Sequence, residues 1–317
     1  MLDVLAMTGV IFLLIAVGYA VVQWGTLSAS DLKVLGVFVV NFAMPALIFK
    51  AVSTRDLTDV FDPVYLALYV TASLATFALA YGSSRKLFAQ TRTEATFNGM
   101  GVSCANSGFI GYPIFLIALP SLAGTILTLN MMVENFVMIP LVLFLAERAA
   151  RHGIPDTNLA TQVTQRLLRN PLLIAMIAAL IVSISSLPIP GIVTNAVDLI
   201  AASSAALSLI VIGGTLVGLD LRAINVKIIS ITTGKLLLMP AAAVLAIAIF
   251  KCFGLTIADP RLEQALIISA AIPPMAIYPI LAQAYGAEKD AALAMALMTA
   301  VSFVTLTGVM WLFPVAG

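Results

Sequence analysis

The sequence predicts an all-α polytopic membrane protein, with ten transmembrane helices arranged as two inverted five-helix repeats. Three observations carry that prediction. Of the 317 residues, 62% are hydrophobic and 10% are charged, against about 45–50% and about 25% in soluble domains. So few charges do not cover a water-facing surface. Apolar runs of near-bilayer length recur along the whole chain, and a helix needs about 20 apolar residues to cross the hydrocarbon core. The longest polar stretch, 147–170, falls in the middle and leaves five runs on each side.

In order, the runs fall at 3–22, 32–50, 63–81, 95–118, 122–146, 171–187, 193–218, 227–250, 263–285 and 290–313. The sixth is short, and the fourth and ninth are interrupted around 107–113 and 272–279. Period-two alternation is absent, which excludes a β-barrel. The first run lacks the basic flank of a cleaved signal peptide, since no Lys or Arg precedes Lys33. Orientation follows from the basic residues of the loops. With the N-terminus outside, the inner loops hold Lys33, then Arg85, Lys86 and Arg92, then Arg148, Arg151, Arg166 and Arg169, then Arg222 and Lys227, then Lys289. The outer loops hold four: Lys50, Arg55, Lys251 and Arg261. Both termini are therefore expected to be extracytoplasmic in a cell membrane. The expected organisation is a first repeat over 1–146, a central cytoplasmic loop over 147–170 and a second repeat over 171–317. Five spans per half give the halves opposite topology.

Several function classes drop out. Two cysteines, Cys104 and Cys252, do not make a disulfide scaffold. A net charge of +1 without a basic block does not suit a nucleic-acid partner. The one histidine, His152, lies in the polar stretch, so neither a zinc or haem centre nor a hydrolase base is expected. The chain is not read as an enzyme, and no cofactor is expected beyond Na+ or H+ as a coupling ion.

The interruptions are the main pointer to function. Tyr112-Pro113 and Tyr278-Pro279 stand 166 residues apart, in the fourth and ninth runs. Around the first, Gly108, Gly111 and Pro113 disfavour a continuous helix; around the second, Pro273, Pro274 and Pro279 lack N–H donors. Unwound backbone at membrane depth persists where it is buried in protein or lines a wet cavity. Paired interruptions in inverted halves mark a transporter's binding site. The bland reading, two kinks that only shape packing, suits the single prolines Pro45, Pro140 and Pro240 better than these clusters.

Ionisable groups at bilayer depth also need a reason, since each costs at least about 2.5–3.5 kcal/mol on insertion scales. Glu134 sits midway in the fifth run, with Asn130 four residues earlier on the same helix face. Together they suit a small hard cation or a proton relay; the structural reading is a Glu hydrogen-bonded between helices. Lys235, early in the eighth run, is expected first to snorkel to the cytoplasmic interface, and second to act as charge partner for a carboxylate or an anionic substrate. Asp198 and Lys50 read as interfacial. Asn106 adjoins the first interruption, where the N-terminus of a half-helix beginning near Gly108 would stabilise an anion. Gly213-Gly214 and Gly234 read as close-packing positions.

With these residues in view, the chain resembles the auxin efflux carrier family of transporters. The resemblance spans nearly the whole length. It rests on Gly18-Tyr19 with Leu27-Ser28 and Asp31-Leu32, on the stretch Asn41-Phe42-Ala43-Met44-Pro45 through Phe49, on Asn106 through Pro113, on Gly213 through Leu216, and on Lys235 through Pro240. It implies a fold like that of bile acid:sodium symporters. There, spans 1, 2, 6 and 7 form a scaffold, spans 3–5 and 8–10 a mobile transport domain, and broken spans 4 and 9 cross at the substrate. The family's bacterial members are assigned to malonate and related carboxylates, and its plant members to auxin. Bile acid symporters carry a carboxylate sodium ligand in the ninth span, whereas this chain reads Ala271-Ile272-Pro273-Pro274-Met275-Ala276, which counts against a full two-sodium site. The short central loop departs from the plant exporters.

The expectation is a secondary active transporter of a small organic anion, working by elevator-type alternating access. Substrate contacts are expected from Asn106, Ser107, Gly108, Pro113, Pro273, Pro274 and Tyr278. Asn130 and Glu134 are expected to hold the coupling ion or proton, and Lys235 is the candidate charge partner. Partners are the anion and the lipid bilayer. A homodimer through the scaffold is what the plant relatives would imply. A channel-like conduit and a membrane receptor are the alternatives.

Overall fold

A computed structural model describes residues 2–53, 61–150, 170–185, 188–218 and 221–314. The expected inner-loop residues Arg151, His152, Arg166 and Arg169, and Arg55 of an outer loop, lie outside them. Among the described residues all regular structure is helical. Seven helical stretches are long and apolar enough to cross a bilayer: Ser30–Ser53, Pro63–Lys86, Arg92–Ala118, Ala123–Ala150, Gly191–Thr215, Val226–Cys252 and Lys289–Leu312. Helix also fills the first run (Leu2–Gln23), the sixth (Pro171–Ser185) and the ninth, there as two pieces, Pro260–Ala271 and Ile277–Gln283. We number the helices by the runs they occupy.

Local sequence sets the helix starts. Ser28 and Asp31 make a reciprocal capping box on the second helix, and Thr91 and Glu94 make one on the fourth. Asp62 and Asp259 cap the third and ninth helices, each followed by proline in the first turn, where no N–H is missed. Outward faces are apolar: Ile192 and Leu199 of the seventh helix are 80% and 77% exposed. Lipid tails suit such a face, and nothing in water would.

Packing sorts the helices into two groups. The first, second, sixth and seventh pack on one another. At their centre glycines let backbones touch. A Cβ added at Gly213 would lie 1.8 Å from the Ile15 carbonyl oxygen, and one at Gly18 would lie 2.0 Å from that of Ile210. Gly213 and Gly214 thus do the close packing expected of them. The third packs on the fourth and eighth, the eighth on the ninth, and the tenth on both the eighth and ninth. Lys50 and Asp198 pair at 2.9 Å, each about half exposed, between the second and seventh helices.

The fourth helix breaks earlier than the glycines suggest. Its first piece ends at Ser103, and Cys104 is extended at φ −93°, ψ 148°. A π-helical turn, Ser107–Gly111, then opens the second piece, Tyr112–Ala118. Gly108, Gly111 and Pro113 therefore lie inside the second piece rather than in the gap. Pro113 stands just past the π-helical turn, at the second residue of the α-helical part. The ninth helix breaks at Ile272–Ala276, with Pro273 and Pro274 in the gap.

Candidate functional site

The two gaps touch. The Asn106 N–H donates to the Pro273 carbonyl at 2.7 Å, so each gap supplies what the other's lost helical bonding leaves open. Two close approaches fix the crossing. Tyr278, fully buried, lies where Gly101 has no side chain: an added Cβ would sit 2.8 Å from its Cζ and 2.9 Å from its hydroxyl. Ile272 Cδ1 lies 3.1 Å from where a Gly111 Cβ would be. Pro113, Pro273 and Pro274 are buried around them. Asn106 caps its own half-helix, its Oδ1 accepting the Phe109 N–H at 3.0 Å, while its Nδ2 is buried without a partner. Part of the helix N-terminus expected to face an anion is thus filled by the asparagine itself, and the amide N–H2 is what remains on offer.

Beside the crossing lies a ladder of polar groups. Glu134 Oε1 accepts from Ser107 Oγ at 2.6 Å and from Tyr69 OH at 3.1 Å, and its Oε2 has no hydrogen-bond partner among the described residues, with the Ala105 N–H facing the carboxylate. Asn130 Oδ1 accepts from Tyr65 OH at 2.7 Å, and Asn130 Nδ2 donates to Ser269 Oγ at 2.9 Å. Both Tyr65/Asn130 and Tyr69/Glu134 advance four residues together, so the third and fifth helices run parallel. The fourth helix is the return between them.

Lys235 is not a snorkelling side chain. It is fully buried, and its Nζ has no hydrogen-bond partner among the described residues. The helix around it, a π-helical turn over Gly234–Leu238, packs against the third, fourth, ninth and tenth helices, so its stem has no route to the interface. Val102 of the fourth helix packs on the neighbouring Gly234, its Cγ2 3.0 Å from where a Gly234 Cβ would stand. Lys235 is fully buried in this group of helices, as are Glu134 and Cys104. No ion pair joins it to Glu134 among the described residues. Ser107, Glu134 and Lys235 each sit on a π-helical turn, a local widening common at functional sites.

Sequence reasoning passed over Tyr65, Tyr69, Gly101 and Ser269. The signal for the tyrosines was present: their spacing of four matches Asn130 and Glu134. The offset of 166 that relates the Tyr-Pro pairs also relates Tyr69 to Lys235 and Ser103 to Ser269.

The chain is 26% identical to a Rhizobium meliloti (strain 1021) protein named "Putative malonate transporter", over 98% of this chain and 94% of that one. It is 22% identical to the "Uncharacterized transporter YfdV" of Escherichia coli (strain K12), over 96% and 95%. An "Uncharacterized transporter" of Methanothermobacter thermautotrophicus matches at 30% over 33% of this chain. The family described as "Membrane transport protein" matches residues 6–310. With so full a match laid over a crossing of broken helices, the chain belongs to this membrane transport protein family, the auxin efflux carriers that its motifs resemble.

Proposed function

We propose that the chain is a secondary active transporter of a small organic anion of malonate-like size, working by elevator-type alternating access. Its ten spans would form two inverted repeats. The first, second, sixth and seventh helices would serve as scaffold, and the rest as the moving unit. The observation that carries this reading is the group of buried, unpartnered polar atoms around the crossing: Asn106 Nδ2, Tyr278 OH, Glu134 Oε2 and Lys235 Nζ. Left alone, each costs the desolvation of an unmade hydrogen bond, and the charged ones cost more. A carboxylate at the crossing accepts from Asn106 and is attracted by Lys235. A proton or Na+ at Glu134 keeps the loaded site near neutrality. The malonate name of the Rhizobium meliloti relative supports the substrate class. Asn130, with both ends of its amide engaged, steadies the ninth helix against the fifth beside that ion.

The test is counterflow of labelled malonate into proteoliposomes, with proton and sodium gradients varied separately. Uptake that follows the proton gradient and fails in Glu134→Gln assigns the proton to Glu134. Dependence on sodium makes Glu134 a cation ligand. Wild-type rates in both Asn106→Ala and Glu134→Gln would refute the site.

A further inference from the structure

Resting on that reading, one side chain outside the polar ladder bears on what fits the site. Met44 belongs to the second helix, in the group of four, yet it reaches the moving unit. A Cβ built on Gly108 would lie 1.7 Å from Met44 Cε and 3.0 Å from its Sδ. Gly108 directly follows Ser107, the hydroxyl bound to Glu134. Met131 Cε of the fifth helix stands 3.2 Å from the same point, so two thioethers converge on the start of the half-helix. Met44 is 2% exposed, and its direction is locally built. It follows a π-helical turn, Val39–Ala43, whose register is closed by Met44 N–H on the Val39 carbonyl, and it precedes Pro45. Met131 is tethered, its Sδ accepting from Asn135 Nδ2 at 3.3 Å. Among the described residues nothing polar tethers the Met44 side chain, and an unbranched thioether withdraws at low cost.

We propose that Met44 closes the crossing site from the scaffold side and sets the size of anion accepted. Its methyl fills the space over Gly108 that the body of a bound anion takes, and it must swing aside for substrate to enter. Gly108 then serves two ends: it leaves room for Met44 when the site is empty, and for the substrate when it is full.

The test is the counterflow assay with a graded panel: malonate, methylmalonate, ethylmalonate and butylmalonate. In the wild type, uptake is expected to fall along the series. Met44→Ala is expected to lift butylmalonate relative to malonate by about tenfold, the scale set by a hydrophobic pocket's discrimination. The gain should appear as a lower KM for the larger anion. Should Met44→Ala not yield monodisperse protein, Met44→Val carries the same test with a smaller step. Gly108→Ala is expected to weaken malonate counterflow in both the wild-type and the Met44→Ala background, because its methyl stands in the space the anion takes whether or not Met44 has withdrawn. An unchanged size series in the folded Met44 variants, with malonate still carried, overturns the inference and leaves the transport reading standing. No counterflow of any panel member by the wild type overturns both.

Discussion

In the first, second, sixth and seventh helices the buried polar side chains, among the described residues, are Ser204 and Ser208, and both hydroxyls turn back onto carbonyls of their own helix. In the third to fifth and eighth to tenth helices Asn98, Asn106, Asn130, Asn135, Glu134 and Lys235 are all buried. Lipid tails are as apolar as leucine, so helices in a bilayer associate through close packing and interhelical hydrogen bonds. The two groups use these two means separately. Gly18 and Gly213 bring backbones into contact in one, and Gly214 makes room there for the Leu32 side chain. Tyr65, Asn130 and Ser269 pin three helices together in the other. An apolar platform has no reason to bind an ion or an anion. A polar unit whose groups are not all satisfied has one.

Charge at the crossing gives the largest expected effect. Lys235→Met is expected to cut malonate counterflow by at least about 30-fold, the scale of losing one partner of a buried charge, about 2–5 kcal/mol. Protein should remain folded, and the double variant Lys235→Met with Glu134→Gln should melt higher than the sum of the singles predicts, since neither charge is then left alone. Additive melting shifts would sever Lys235 from Glu134. Gly213→Ala comes next and should act the opposite way. Overpacking there is expected to lower stability by about 1–3 kcal/mol, read as thermal melting in detergent, with the KM for malonate unchanged in protein that stays folded. If Gly213→Ala instead spares stability and removes transport, the contrast between platform and polar unit is wrong. Tyr65→Phe deletes one hydrogen bond to Asn130, of the order of 0.6 kcal/mol in membrane helices. It should shift melting little while slowing counterflow at saturating malonate, because the third helix then moves less firmly with the fifth.

Composition made the helical membrane fold legible, because hydropathy acts locally: the third helix begins at Pro63 with its apolar run, whereas the caps Thr91 and Asp259 start the fourth and ninth helices a few residues ahead of the runs at 95 and 263. The two interruptions were legible as places but not in detail. Glycine and proline marked the fourth helix, yet the gap lies at Cys104–Asn106. A bond from Asn106 to Pro273, a partner in the other half of the chain, stands where helical bonds are missing. Lys235 was misjudged for a related reason. Snorkelling is a property of one helix at one depth, whereas its burial comes from four other helices closing around a widened turn. Tyr65 and Ser269 escaped notice because a hydroxyl in an apolar run looks like packing until its partner is known.

The smallest expected effect lies at the water-facing start of the interrupted ninth helix. Asp259 caps Pro260–Ala271, with Oδ1 accepting the Arg261 N–H at 2.9 Å and Oδ2 accepting from Arg261 Nη2 at 2.8 Å. These bonds from Arg261 hold its carboxyl below the ordinary carboxylate range. A carboxyl depressed on folding adds stability above its unfolded pKa, near about 3.9, and loses it as pH falls through the folded value. The pair is solvent-exposed, so the contribution is expected to stay below about 1 kcal/mol. Melting of the wild type in detergent should therefore drop more steeply below about pH 4 than that of Asp259→Asn, with malonate KM alike in the two at neutral pH. A twelve-residue half-helix that ends at the crossing has no long partner turn to lean on, so its cap matters more than one on an unbroken span. Identical acid slopes would mean that the crossing itself, through Asn106 and Pro273, holds this half-helix without help from its cap.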